Sequence, residues 1–147
     1  MIDYKIRPAR PDEAAAVLEF WRTAAEGTSI SDDPNGVRIL IERDPEALLL
    51  ATEADQAGEA GHRIVGTVIA GFDGWRCHLY RLAVAPDRRR QGIGSALLHA
   101  AHQRFESFGG RRADAMVLEH NETGQLTWSA AGYEREDQWR RWVKPLN

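Results

Sequence analysis

The sequence predicts an α/β domain, of the α+β type, built on a mixed and mostly antiparallel sheet. Three observations carry that expectation. Two amphipathic helical patterns follow a first short strand. Strand-like runs then follow one another at short spacing up to residue 85, the pattern of an antiparallel meander. A strand, a long helix and a further strand come in order across 76–119, which favours parallel pairing through a right-handed crossover.

The elements follow in order. "DYKIRPA" alternates and reads as a first strand. "PDEAAAVLEFWRTAAEG" places Pro11 at a helix start with acids in the first turn. Its apolar positions Ala14, Val17, Leu18, Trp21 and Ala25 share one face. "SDDPNGVRILIERD" offers a capping start and a short helix carrying Val37, Leu40 and Ile41. "EALLLATE" is a strand and "ADQAGEAGH" a turn. "RIVGTVIAGFD", the turn "GWR" and "CHLYRLAVA" make the next strand pair. Ile93, Leu97, Ala100, Ala101, Arg104, Phe105 and Phe108 recur at helical steps, and Gly109–Gly110 ends that helix. "RRADAMVLE" is a strand, "HNETGQLTWSAAGY" a short helix closed by Gly132, and "YEREDQWRRWVKPL" a final hairpin. Counted together these are about six to seven strands and about four helices. No repeat or linker interrupts them, so residues 1–147 read as a single domain.

Composition narrows the function classes. The chain has 147 residues, 43% hydrophobic and 28% charged, which suits a globular protein with a real core. No segment approaches the ~20 apolar residues that a membrane span requires, and "MIDYKIRPARPDE" has no apolar h-region, so neither a membrane span nor a secretory signal is expected. Cys77 is the only cysteine, which fits a reducing, cytoplasmic setting. The net charge of −3 hides an asymmetry. Residues 1–61 hold 13 acids and 6 bases, residues 62–112 hold 3 acids and 9 bases, and the remainder is mildly acidic. The middle third suits an anion and the first third a cation.

The basic middle is concentrated in "VAPDRRRQGIGSALL", residues 84–98. A strand ends at Pro86 and the chain turns through Arg89, Arg90, Gln91, Gly92, Ile93, Gly94 and Ser95 into the long helix. The first amides of a helix lack partners within it and face outward at its positive end. Glycines let a phosphate reach the backbone, and arginines add forked donors. The segment therefore asks for a phosphate or pyrophosphate. Neither a G-x-x-x-x-G-K-[ST] loop nor an N-terminal G-x-G-x-x-G unit is present, so NTP-loop and dinucleotide folds are disfavoured.

What is present is R-x-x-G-x-G at 89–94, directly after an L-A-V strand and before a long helix. That block, "HLYRLAVAPDRRRQGIGSALL", and the later "N…W…GY" block resemble the acyl-CoA signature of the GNAT acetyltransferases. The resemblance covers nearly the whole chain, although the first 60 residues match in element order only. It implies a GNAT fold, in which the strands at 78–84 and 113–118 splay apart into a slot for the acyl-CoA arm. It implies acetyl-CoA as co-substrate, with no metal. Leu82, Ala83 and Val84 would line the acetyl and pantetheine arm, Arg89 through Ser95 would wrap the pyrophosphate, and Asn121 would contact the pantetheine side.

Acetyl transfer to an amine requires removal of a proton, a donor for the oxyanion and a leaving thiolate. Deprotonating a lysine-like amine of pKa ~10.4 at pH 7 costs about 4.6 kcal/mol, so a base is needed. A main-chain amide at Leu82 or Val84 would serve the oxyanion. His78 is the candidate base, at a place where some GNAT members carry a catalytic carboxylate, and Tyr80 shares its strand face and would position water or acceptor. Glu119 and the Asp32–Asp33 pair are alternatives, though the pair also suits a helix cap. Cys77 lacks a base on its own face, which argues against a thiol nucleophile. Trp21 suits either the core or the acceptor site.

One departure from the family pattern stands out. Many members place a tyrosine, the acid for the leaving thiolate, where this chain has Trp128. An indole N–H donates a hydrogen bond but supplies no proton at neutral pH. Trp128 is therefore expected to pack against the pantetheine sulfur region, and an acyl-CoA-binding module with little turnover is the rival to an N-acetyltransferase acting on a primary amine. The acidic first third mildly favours a cationic acceptor. Nucleic-acid binding through Arg88–Arg90 is disfavoured, because no aromatic residues interleave and the chain is acidic. The tryptophan-rich C-terminal hairpin suits a homodimer interface, and the family commonly dimerises.

Overall fold

The computed structural model describes residues 3–27, 29–54 and 63–146. The elements run β1 (Lys5–Pro8), α1 (Ala14–Ala24), α2 (Pro34–Arg43), β2 (Leu48–Glu53), β3 (Arg63–Phe72), β4 (Cys77–Val84), α3 (Ile93–Ser107), β5 (Ala113–Ala115) and α4 (Glu122–Ala130). The strands form one sheet in the order β1-β2-β3-β4-β5. The first three pairings are antiparallel and β4–β5 is parallel, as the helical crossover α3 requires.

Both faces of the sheet are covered. Val17, Leu18 and Trp21 of α1 pack with Val37 and Ile41 of α2 onto Leu48 and Leu50. Ile93, Leu97, Ala101 and Phe105 of α3 pack on the other face with Leu49, Ala51 and Leu79. The alternation along β2 is the two-residue period of a strand buried on both sides. Trp21 is mainly a core residue, and its indole N–H donates to Thr67 Oγ1 at 2.9 Å. Gly66 brings β3 against α3. A Cβ there would come within 2.8 Å of Leu97 and 2.9 Å of Ile93.

The helix boundaries follow their caps. Asp33 Oδ1 accepts the Gly36 amide at 2.6 Å ahead of α2, with Pro34 in its first turn. Both α3 and α4 end in glycine-closed turns. Gly110 N–H donates to Phe105 O and Gly109 N–H to Glu106 O, and Tyr133 N–H and Gly132 N–H do the same at Trp128 O and Ser129 O. Gly109 and Gly132 take φ of 77° and 92°, as that motif requires.

Three expectations change. The sheet has five strands among the described residues, not six to seven. The expected strand over 111–119 pairs only at Ala113–Ala115. The C-terminal hairpin does not form, and 133–146 contains no strand. Its apolar residues Trp139, Trp142, Val143 and Leu146 are separated by three, one and three positions, not by the period of two that would bury one strand face. The segment also lacks an Asn-Gly or Gly-containing turn. All four of those residues are exposed, Trp142 by 93%. The turn expected over 54–62 lies, beyond Ala54, outside the described residues. Among the described residues, no helix is long and apolar enough to cross a membrane.

Candidate functional site

The site is built where β4 ends and α3 begins. After Val84 a short turn of 3-10 helix, Pro86–Arg88, redirects the chain. Arg90 then takes φ 64° and Gly92 φ 82°. Left-handed residues alternating with ordinary ones turn successive amides toward a common side, an arrangement that accepts anions. The first amide bonded within α3 is that of Ala96, to Gly92 O at 3.0 Å. Among the described residues, the amides of 89–95 have no acceptor, so a row of donors opens at the positive end of a 15-residue helix.

The donor set fits a pyrophosphate. No atom lies within 4 Å of where a Cβ on Gly92 would sit, and Gly94 meets only Val84 and Thr127 at ordinary contact distance. The Gln91 side-chain oxygen is buried with no partner among the described residues, but as an acceptor it is not satisfied by an anion. The three arginines divide their work. Arg88 turns its fork inward to Glu53, with Nε and Nη2 each 3.1 Å from a carboxylate oxygen. Arg89 Nε donates to Val84 O at 3.3 Å. Arg90 is exposed beside the amides.

The adjoining slot comes from the sheet. β4 and β5 pair only from Cys77↔Ala113 to Leu79↔Ala115. Beyond Leu79 the outer edge of β4, through Leu82, Ala83 and Val84, has no strand beside it. β4 also carries a bulge, since its register against β3 shifts between Thr67 and Ile69. Arg81 sits in that bulge at φ 53°, a conformation uncommon for a non-glycine residue.

Arg81 is the main feature that the sequence reading missed. Its side chain is only 13% exposed. The guanidinium donates to Glu26 O and Gly27 O, both at 3.2 Å, and to the Asp32 carboxylate, and it lies over the Trp21 ring 5.3 Å from the centroid. Its own carbonyl accepts from Thr67 Oγ1 at 2.8 Å. One residue therefore ties the α1–α2 connection to the sheet beside Leu82. A cleft of about 680 Å³, lined by Leu18, Glu19, Trp21, Gly27, Ser29 and Asp32, opens against that connection. The only sequence signal was the three-residue step from Leu79 to Leu82 in a strand that otherwise alternates.

His78 lies at the other end of β4. Its Nδ1 is 2.8 Å from Asp114 Oδ1 on β5, and its Nε2 is 3.5 Å from Asp73 Oδ2 in the β3–β4 turn. The Asp114 hydrogen bond, against a smaller opposing effect of burial, raises its pKa above the usual 6.5. Tyr80 is half exposed, with its ring centroid 6.3 Å from that of His78, and burial raises its pKa. Asn121 caps α4, its Oδ1 accepting the Gly124 amide at 2.9 Å. Trp128 is half-buried and meets Tyr133 edge-on, with centroids 4.9 Å apart. Burial pushes the Tyr133 pKa up to about 12, and its hydroxyl pairs with His102 Nε2 at 2.6 Å.

Two of the three alternative bases are committed elsewhere, and Glu119 is exposed in the segment after β5. Asp32 binds Arg81 and the Ser29 amide, and Asp33 caps α2. Cys77 is 1% exposed, and burial raises its pKa, which keeps the thiol protonated.

Comparison with known proteins gives one answer. The chain is 29% identical over 133 residues to an acetyltransferase of Pectobacterium atrosepticum, covering 90% of this chain and 89% of that one. The PaiA N-acetyltransferase of Thermoplasma acidophilum, solved in complex with coenzyme A, superposes with a TM-score of 0.75 at 17% identity, covering 92% of each chain. The yncA protein of Salmonella typhimurium, solved with acetyl-CoA, gives 0.68 at 19%, covering 89% of this chain and 79% of that one. A family model described as acetyltransferase (GNAT) matches residues 13–133. With that match over most of its length, the chain belongs to the GNAT acetyltransferase family.

Proposed function

We propose that this protein is an acetyl-CoA-dependent N-acetyltransferase that acts on a primary amine by direct attack in a ternary complex. The observation that carries this reading is the row of partnerless amides at 89–95, continuous with the unpaired edge of β4. A pyrophosphate suits the first and a thioester-bearing arm the second. Two structural neighbours with coenzyme A or acetyl-CoA bound share the fold.

In this reading Arg89, Arg90, Gln91, Gly92, Ile93, Gly94 and Ser95 hold the pyrophosphate, chiefly through amides. Leu82, Ala83 and Val84 line the arm, and a main-chain amide at Leu82 or Val84 stabilises the oxyanion. Asn121 has its Oδ1 engaged in the α4 cap and offers its Nδ2 to the pantetheine. The amine nitrogen attacks the thioester carbon, the C–S bond breaks, and the thiolate of coenzyme A leaves while the amine proton passes to a base.

His78 is the proposed base. Asp114 orients its Nδ1–H, and Nε2 takes the proton beside Asp73 Oδ2, which lies 3.5 Å away. His78 stands four residues before Leu82, with the bulged Arg81 between, roughly 10 Å away at ~3.3 Å per regular strand step. It therefore acts through water, with Tyr80 along the path. The acceptor is a cationic amine entering beside α1. Asp32 is paired with Arg81 and Glu19 with Arg22 at 2.7 Å, so among the described acids of the cleft Asp33, which caps α2 through a neutral amide, is the one that supplies charge for the recognition.

One observation favours a second reading, an acyl-CoA-binding module with little turnover. Trp128 stands where a proton donor is usual, and Tyr133 beside it holds its proton up to about 12. The test is coenzyme A release from acetyl-CoA across a panel of amino acid amides, polyamines and peptide N-termini. Amine-dependent release supports the enzyme, and binding without release supports the module. The exposed tryptophans of 134–146 suit a homodimer, which sedimentation would detect.

A further inference from the structure

The loop expected to bind pyrophosphate is held from below by a charge network that spans 35 residues of sequence. Glu53, at the end of β2, is 8% exposed. Its Oε1 accepts from Arg63 Nη1 at 2.9 Å and from Arg88 Nη2 at 3.1 Å, and its Oε2 accepts from Arg88 Nε at 3.1 Å. Arg63 also reaches Asp87 with Nη2, at 2.8 and 3.1 Å to the two oxygens. Arg88 Nη1 closes the ring to Asp87 Oδ2 at 3.2 Å. Two arginines and two carboxylates thus alternate in a closed circuit, with Glu53 as its most buried member.

The circuit grips the turn that launches the phosphate loop. Asp87 and Arg88 lie in the 3-10 turn Pro86–Arg88, and the free amides begin at residue 89. Arg90 then takes the uncommon left-handed conformation, which persists only when its surroundings enforce it. A buried carboxylate must be paired, and here both of its partners are arginines reaching in from the loop side and from β3. Arg88 is the first of three consecutive arginines, yet its fork is used up on Glu53 and does not face the amides.

We infer that Glu53 is a positioning residue for coenzyme A binding, holding Arg88 so that the 89–95 amides converge, and that Arg88 is an anchor, not a phosphate ligand. This rests on the proposal that 89–95 bind the pyrophosphate. The alternative, Arg88 as a ligand restrained by Glu53, makes the opposite forecast, because removing the Glu53 charge would then free Arg88 for the phosphate.

The test is calorimetric titration of acetyl-CoA, and of 3′-phosphoadenosine 5′-diphosphate, against wild type, Glu53→Gln, Arg88→Gln and the double variant. Circular dichroism at the titration temperature checks that each is folded. The expected result is about tenfold weaker binding of both ligands in either single variant, the order for loss of one charge-assisted hydrogen bond. The double variant should be no weaker than the singles, since one coupled contact is lost in each. Unchanged or tighter binding in Glu53→Gln overturns the inference, as does additive loss in the double variant. A folded Glu53→Gln with a lower melting temperature and unchanged affinities would make Glu53 a stability residue only. If wild type binds neither ligand, the coenzyme A proposal fails and the inference falls with it, a result distinct from all the others.

Discussion

Gly66→Ala puts the link between packing and site to a numerical test. Gly66 lies in β3 under the first turn of α3. A Cβ built there would stand 2.8 Å from Leu97 Cδ1, 2.9 Å from Ile93 Cγ2 and 3.3 Å from Ala83 O. Two of these are closer than carbon atoms approach, and both side chains are buried, at 0% and 1% exposed. Leu97 and Ile93 cannot move away into solvent, so α3 must shift. Overpacking of this kind costs about 1–3 kcal/mol. In a domain of this size each kcal/mol lowers the melting temperature by about 3–4 °C. Ile93 begins α3 within the row of partnerless amides at 89–95, so the same shift disturbs the proposed anion site. Urea unfolding should show the loss, and acetyl-CoA titration a weaker Kd. Gly92→Ala is the control. It meets no atom within 4 Å but sits at φ 82°, so its cost is conformational, about 1–2 kcal/mol. If Gly66→Ala stays within 0.5 kcal/mol of wild type and binds acetyl-CoA normally, the packing argument is wrong.

Other expected outcomes follow from named contacts. Because its folded-state pKa is raised, His78 stabilises the protein below about pH 6.5, and that contribution fades as pH rises through the higher folded value. His78→Gln should flatten this dependence in melting curves. It should also remove a rise of kcat/KM with pH that has its midpoint above 6.5, and an unchanged profile would exclude His78 as base. Trp128→Tyr should raise kcat if a proton donor for the thiolate is what the site lacks, and an unchanged kcat would mean that the thiolate, of pKa ~8.5, leaves unaided. Arg81→Gly accepts φ 53° without strain but releases the Glu26, Gly27 and Asp32 contacts. It should raise the amine KM by about tenfold while leaving acetyl-CoA affinity unchanged, and equal loss of both would show that the bulge itself had collapsed.

The fold was legible where local chemistry and burial agree. The caps at Asp33, Gly109 and Gly132 were visible because each needs a particular residue type at one backbone position. The parallel pairing of β4 and β5 followed from the strand–helix–strand order across 76–119. The strand–helix turn at 89–95 was legible as a candidate anion site because its glycines stand where a helix begins, and the amides there are without acceptors among the described residues. Long-range side-chain commitments were not. Arg88 looked like its neighbours until Glu53 claimed it, and Asp32 looked like a free acid until Arg81 reached it from a bulge. Nothing local distinguishes a paired charge from a solvated one. The C-terminal hairpin was misread because aromatic and β-branched residues suggest a strand even when their spacing does not alternate.

The most direct measurement is calorimetric titration of wild-type protein with acetyl-CoA, with S-acetylpantetheine and ATP alongside. Saturable one-to-one binding of acetyl-CoA that neither fragment matches is the expected result, because the amides at 89–95 and the open edge of β4 would each hold one half of the ligand. ATP binding as tightly as acetyl-CoA, or acetyl-CoA failing to bind a folded protein, would contradict the assignment of this slot to the thioester arm.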